Sequence, residues 1–277
     1  MEDIYLGISP CPNDTFIFYH LLHKKRLPFK INPVIRDVEE LNRLVLADAL
    51  DVSKVSFALA GQVIDRYKIL SSGSALGRGC GPLILARSQM SKRELAKAKI
   101  AIPGKNTTAA LLFRLYLPDA RNLVEMPFDK IVEAICSKDV DAGCVIHETR
   151  FTYRNFGLLM VQDLGKWWEE TTGRPIPLGG IIARNDLPME QLQILQQSIR
   201  ESIEFAKNNY EEVSEFIRRY AQEMSVEVQK RHISLYVNHY SYDLGDEGRK
   251  AVYELFERAA SAGLIKIPEE SQELFVI

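Results

Sequence analysis

The sequence predicts an α/β protein built as a two-lobe clamshell with a ligand cleft between the lobes, and three observations carry that expectation. Short apolar runs alternate with helical patterns, the mark of strand–helix units with parallel strands. The same unit starts again at Lys99. At 277 residues the chain is long for one core and about right for two lobes.

The first strand is expected at residues 4–8 (IYLGI) and runs into SPCPNDTFIFYHL, residues 9–21, a stiff loop that opens a helix. Asn13 or Asp14 is the expected cap, with the first amides facing outward; an anion site and an ordinary capped turn both fit. A strand follows at 31–34, then the helix DVEELNRLVLADAL with Leu41, Leu44, Val45 and Leu46 on its apolar side. VSKVSFALA suggests a short buried strand ending in Ser56, and AGQVIDRYKIL another short helix. Residues 73–82 (GSALGRGCGP) read as loop, and LILAR as a strand in a sheet interior.

From Lys99, KIAIPGKNTTAALLFRLYLP reads as strand, glycine turn and helix, and LVEMPF as a second strand. FDKIVEAICSKDVDAG is an expected helix ending at Gly143, and CVIHE a strand whose C-terminal end carries His147. After LGKWWEETTGRPIPL, the apolar segment GGIIAR returns the chain to the first lobe. Residues 189–221 are strongly helical, with Leu192, Leu195, Ile199, Ile203 and Ala206 at helical spacing and a break at Asn208 and Asn209. A last amphipathic helix ends at Gly263. Crossings near 98 and 184 divide the chain into a first lobe (1–97), a second lobe (98–183) and a return to the first lobe with C-terminal helices (184–277).

Composition narrows the partner. With 35 basic and 37 acidic residues the net charge is −2, which offers no broad field to a nucleic acid or a membrane surface, so a small molecule is expected. No apolar run approaches the roughly 18–20 residues a spanning helix needs. The acidic start, followed at once by a strand, does not resemble an export signal, and a cytoplasmic location is expected. Cys11, Cys80, Cys136 and Cys144 show no CxxC spacing, which argues against a zinc site and, in a reducing compartment, against disulfides.

Four loops compete to line the cleft: SPCPNDTF; VSKVSFA, where Lys54 and Ser56 offer a cation and a hydroxyl at a strand end; PGKNTTAA; and HETRFTY. Lys54 reads equally well as a solvated surface lysine. In the third loop Gly104 allows the turn, and the hydroxyls of Thr107 and Thr108 with the helix amides converge as a carboxylate site does, although a simple cap has the same pattern. In the fourth, His147 is the histidine placed where a base near neutral pH is expected; His20, His23, His232 and His239 lie in helical stretches and look less suited. No GxSxG, HExxH, GxGxxG or Walker spacing is present, so neither a metal nor a nucleotide is expected.

Taken together, SPCPNDTF, KVSFA, GSALGRGCGP, PGKNTTA and VIHETRFTY, with DLGKWWEETTGRPIPLG and YVNHYS, resemble the 1,4-dihydroxy-6-naphthoate synthases of the futalosine route to menaquinone, over nearly the whole chain. The resemblance implies a fold like that of the type II periplasmic binding proteins, with mixed sheets flanked by helices. It further implies a cofactor-free carbon–carbon lyase acting on cyclic dehypoxanthinyl futalosine, a carboxylate. The family's IHE[ST]RFTY histidine, here His147, is its proton acceptor. Its substrate-contacting segments match Lys54, Val55 and Ser56, and Thr107, Thr108 and Ala109. The related chorismate dehydratase and a non-catalytic solute-binding protein share this build and remain the alternatives; the SPCPNDTF and HETRFTY segments favour the synthase.

Overall fold

A computed structural model describes residues 3–221, 225–267 and 274–276. Two mixed sheets stand side by side. The first is laid down by β1 (Ile4–Ile8), α1 (Pro12–His23), β2 (Ile31–Ile35), α2 (Val38–Leu46), β3 (Val52–Ser56), α3 (Phe57–Ala60), β4 (Tyr67–Ile69) and β5 (Ala75–Gly77). The second comprises β6 (Leu83–Ala86), α4 (Lys92–Lys97), β7 (Ile100–Ile102), α5 (Thr108–Tyr116), β8 (Leu123–Glu125), α6 (Ile131–Cys136), β9 (Ala142–Val145), α7 (Thr149–Thr152), β10 (Leu159–Asp163) and α8 (Leu164–Thr172). The chain returns along β11 (Ile176–Arg184) and finishes in α9 (Met189–Asn208), α10 (Tyr210–Tyr220), α11 (Val226–Tyr236), α12 (His239–Tyr242) and α13 (Gly245–Ser261).

The first sheet has the order β2-β1-β3-β11-β4, with β5 also on β11; the second runs β10-β6-β9-β7-β8. Among the strands named here parallel pairing joins β1 to β2 and β3, and β7 to β8 and β9, and a single parallel bridge links Ile69 of β4 to Phe275. The strands that carry the chain across, β6 outward and β11 back, pair antiparallel, because they enter each sheet without the helical crossover a parallel neighbour needs. Sheet membership therefore changes before Leu83 and again before Ile176, earlier than the expected crossings near 98 and 184. LILAR, expected in the first lobe, lies inside the second sheet.

Local chemistry explains most boundaries. Asp37 closes a capping box with Glu40 at the start of α2, Ser91 does the same with Glu94 at α4, and Thr107 caps α5 by accepting from the Ala110 amide. Four expectations fail. AGQVIDRYKIL is a turn followed by β4, because Tyr67 and Ile69 gain ladder bonds to β11 and bury their side chains on that edge. The loop at 73–82 contains β5. Gly143 sits within β9 rather than ending a helix, since α6 stops at Cys136 and Lys138 turns the chain at φ +70°. Leu46 is 41 % exposed, outside the apolar stripe of α2.

Apolar packing joins the two sheets. Phe57, Val55 and Ile182 from the first belong to one cluster with Ile84, Ile100, Phe113 and Trp168 from the second, all essentially buried. Each such large side chain contributes about 1.5–3 kcal/mol. In front of this shared core the sheets leave a cleft, and Gly104 lets its walls approach. At φ +139° a side chain there would be strained, and its Cβ would stand 2.4 Å from Glu39 Cγ across the gap.

Candidate active site

Four loops follow the C-terminal ends of β1, β3, β7 and β9, where open α/β sheets bind ligands. One cavity gathers them. Lys54, Val55, Ser56, Thr107, Thr108, Ala109 and His147 all line it. Ser9, Asn13 and Asp14 of the SPCPNDTF loop join them, and so do Leu178, His232 and Tyr236, which the sequence did not single out for this site.

His147 stands two residues beyond β9 with φ +59°, a left-handed conformation unusual for a side-chain-bearing residue. That turn lifts the ring off the strand. The imidazole packs 4.6 Å from the Phe128 ring and nearly parallel to His232 at 6.2 Å, and its Nδ1 lies 3.1 Å from Cys11 Sγ. Burial, with the Glu148 and Asp14 charges, pushes the Cys11 thiol well above its ordinary range, so sulfur meets the imidazole as S–H rather than thiolate. Cys80 and Cys144 are likewise pushed up to about 12 by burial.

Asn13 and Asp14 are not caps. The helix begins earlier, at Pro12, with Cys11 in the cap position, and this leaves both side chains pointing into the interior. Asp14, wholly buried, accepts 2.9 Å bonds from Lys54 Nζ and Asn13 Nδ2 and a 3.2 Å bond from the Ser9 amide. Lys54 is 4 % exposed and donates also to the Gly73 carbonyl, so it is a buried ion-pair partner and not a surface lysine.

The same network orients His232. Because Asn13 gives its amide nitrogen to Asp14, it presents its oxygen to His232, 3.0 Å from Nε2. Nε2 therefore carries the hydrogen and Nδ1 the lone pair. Burial, followed by the His147 charge, pushes His232 well below the ordinary histidine range and keeps it neutral. Its Nδ1 faces Glu148 Oε2 at 3.8 Å, and among the described residues neither atom has a hydrogen-bond partner. A signal for His232 was present in the sequence. It shares one face of α11 with Gln229, Ile233 and Tyr236, the face that is buried.

Histidines held below their ordinary range by lost hydration, His232 wholly and His20 and His23 in part, set an acid limit on stability. Below about 6.5 the unfolded chain takes up protons at His232, His20 and His23 that the folded chain refuses, because burial lowers all three. Folding stability should therefore decline as pH falls through 6.5 and keep declining until the lowered native values are reached. Thermal melts between pH 7.5 and 5 would show it, and His232→Gln should flatten the slope; an unchanged slope would remove His232 from the acid response.

The threonine turn differs from expectation in one respect. Thr107 spends its hydroxyl on the Gly104 carbonyl and the Ala110 amide, and Thr108 spends its own on the Leu178 carbonyl (2.6 Å) and the Ala58 amide. The Thr107 hydroxyl thus caps its own helix and the Thr108 hydroxyl ties α5 to the first lobe, so the first-turn amides of Thr108 and Ala109 are the donors left for an anion. Ser56 accepts from Asn42 Nδ2 at 3.3 Å, which leaves its own hydrogen to give. Asn42 also reaches the Asn106 carbonyl, and Asn106 bonds Glu39 across the gap at 2.8 Å. Among the described residues no three His, Cys, Asp or Glu side chains gather to hold a metal ion.

A model of the menaquinone biosynthesis family matches residues 4–261 of the chain. The chain belongs to that family. Two relatives, from Thermus thermophilus and Streptomyces coelicolor, are each named "1,4-dihydroxy-6-naphtoate synthase" and are 46 % and 42 % identical. The first match covers 95 % of this chain and 96 % of the relative, the second 95 % of each. A crystal structure of an Archaeoglobus fulgidus protein superposes with TM-score 0.90 at 38 % identity, covering 95 % of this chain and 98 % of that one. The fold extends to binding proteins: the periplasmic aliphatic sulphonate binding protein of Escherichia coli superposes with TM-score 0.67 at 12 % identity, covering 96 % and 90 %. The motifs that resembled the synthases are thus carried by a menaquinone biosynthesis family member with the expected α/β build.

Proposed function

We propose that this menaquinone-family chain is a 1,4-dihydroxy-6-naphthoate synthase, a cytoplasmic lyase that cleaves a carbon–carbon bond of cyclic dehypoxanthinyl futalosine with His147 as the base. The observation that supports it most is the convergence of Lys54–Ser56, Thr107–Ala109 and His147 on one cavity, in a chain nearly half identical to named synthases. His147 takes a proton from the substrate, the electron pair left behind completes the aromatic bicyclic ring, and the sugar-derived portion departs with the pair of the broken carbon–carbon bond and takes up a proton. The aromatic gain drives the cleavage, so one placed base suffices.

The remaining walls suit the rest of the molecule. The α5 amides of Thr108 and Ala109 and the Ser56 hydroxyl offer donors to the substrate carboxylate, while Val38, Val55, Ile146 and Leu178 give an apolar slot for flat rings. The Lys54–Asp14 pair, being internally neutralised, holds Asn13 and His232 in place.

Incubating the purified protein with cyclic dehypoxanthinyl futalosine, and separately with chorismate, tests the reading. Release of 1,4-dihydroxy-6-naphthoate from the first alone is expected. Turnover of chorismate, or ligand-induced stabilisation without product, would replace the synthase by a dehydratase or a binding protein.

A further inference from the structure

We propose that Glu148 and His232 form a second polar subsite of this centre, one that accepts two hydrogen bonds from the hydroxyl-bearing, sugar-derived portion of the substrate. The inference rests on the synthase reading and deepens it. Both residues are buried, His232 at 1 % and Glu148 at 8 % exposure, yet among the described residues Glu148 Oε2 and His232 Nδ1 have no hydrogen-bond partner. Buried acceptors left unmatched are costly, so a fold that keeps two of them side by side holds them for a donor.

Their chemistry selects that donor. Asn13 fixes His232 with its hydrogen on Nε2, so Nδ1 can only accept, and a carboxylate oxygen accepts too. At 3.8 Å they are too far apart for a bond to each other. An ion pair would need a protonated His232, which burial and the His147 charge oppose. Two acceptors at this separation match neighbouring hydroxyls, each giving one hydrogen, and do not match an anion or an apolar ring. The position agrees: Glu148 follows His147 directly and stands at the start of α7 without spending its side chain on a cap bond, while the His232 ring lies almost parallel to that of His147 and lines the same cavity. A hydroxylated fragment held here lies next to the base, since the His147 and His232 rings stand 6.2 Å apart.

Glu148→Gln tests this, because its amide nitrogen gives His232 Nδ1 the donor it lacks and closes the subsite from within. KM for cyclic dehypoxanthinyl futalosine is expected to rise at least tenfold, while the inhibition constant of the product 1,4-dihydroxy-6-naphthoate, which lacks the sugar-derived portion, stays within about twofold. The melting temperature should hold or rise. Glu148→Ala, which removes the acceptor without supplying a donor, should raise KM likewise. An unchanged KM in both variants would make the pair structural, and equal losses for substrate and product would assign it to the aromatic portion. A parent enzyme with no turnover would sink the synthase reading itself; a competent parent with unaffected variants sinks the subsite alone.

Discussion

Replacing His147 by Asn should leave a folded protein that binds substrate with near-parent affinity and turns it over about 10²–10⁴ times more slowly, the usual worth of a placed general base. Asn is the informative choice because the backbone here is left-handed, at φ +59°, and Asn tolerates that region better than most residues. A β-branched replacement would combine loss of the base with backbone strain, and the two effects could not be separated. The Asn side chain also remains polar beside the Cys11 thiol, 3.1 Å from the imidazole it replaces. Single-turnover rates with a parallel thermal melt provide the check. A variant within about twofold of parent turnover would remove His147 from the proton transfer.

Lys54→Met should be the most damaging substitution for stability, by about 3–5 kcal/mol, since it strands the wholly buried Asp14 carboxylate without a counter-charge. The damage reaches the site, because Asp14 holds Asn13 and Asn13 fixes His232. Adding Asp14→Asn should recover much of the loss, as an amide oxygen can still accept from the Ser9 amide and no charge remains buried. Denaturant midpoints of the single and double variants measure this coupling. If Lys54→Met alone unfolds at the parent midpoint, the ion pair is not what anchors the start of α1.

Much of the architecture could be read from periodicity. Strands β1, β2, β3 and β7 and the break between α9 and α10 near Asn209 fall where apolar spacing, turn residues and helix signals agree, while β9 starts two residues before the run expected for it. The failures share one cause. Residues 67–69 have no local pattern that distinguishes strand from helix, and they become β4 only because β11, over a hundred residues later, offers an edge. The change of sheet before Leu83 was hidden for the same reason, since a run such as LILA is equally apolar in either sheet.

The site divides in the same way. His147, the Lys54–Ser56 segment and the Thr107–Ala109 turn were visible because strand-end loops rich in polar and small residues stand out against apolar runs. Asp14, Asn13, Glu148 and His232 could not be assigned their parts. Asp14 looked like a cap until Lys54 was brought to it from forty residues away, and His232 looked helical and remote until α11 laid it beside His147. By itself, the sequence determined which residues could do chemistry and on which strand ends they stand, because those are properties of neighbours along the chain. Only the tertiary structure decided which threonine hydroxyls are already spent, which lysine is buried, and which two acceptors face each other unmatched, because hydrogen bonds and burial are settled between segments far apart in the chain.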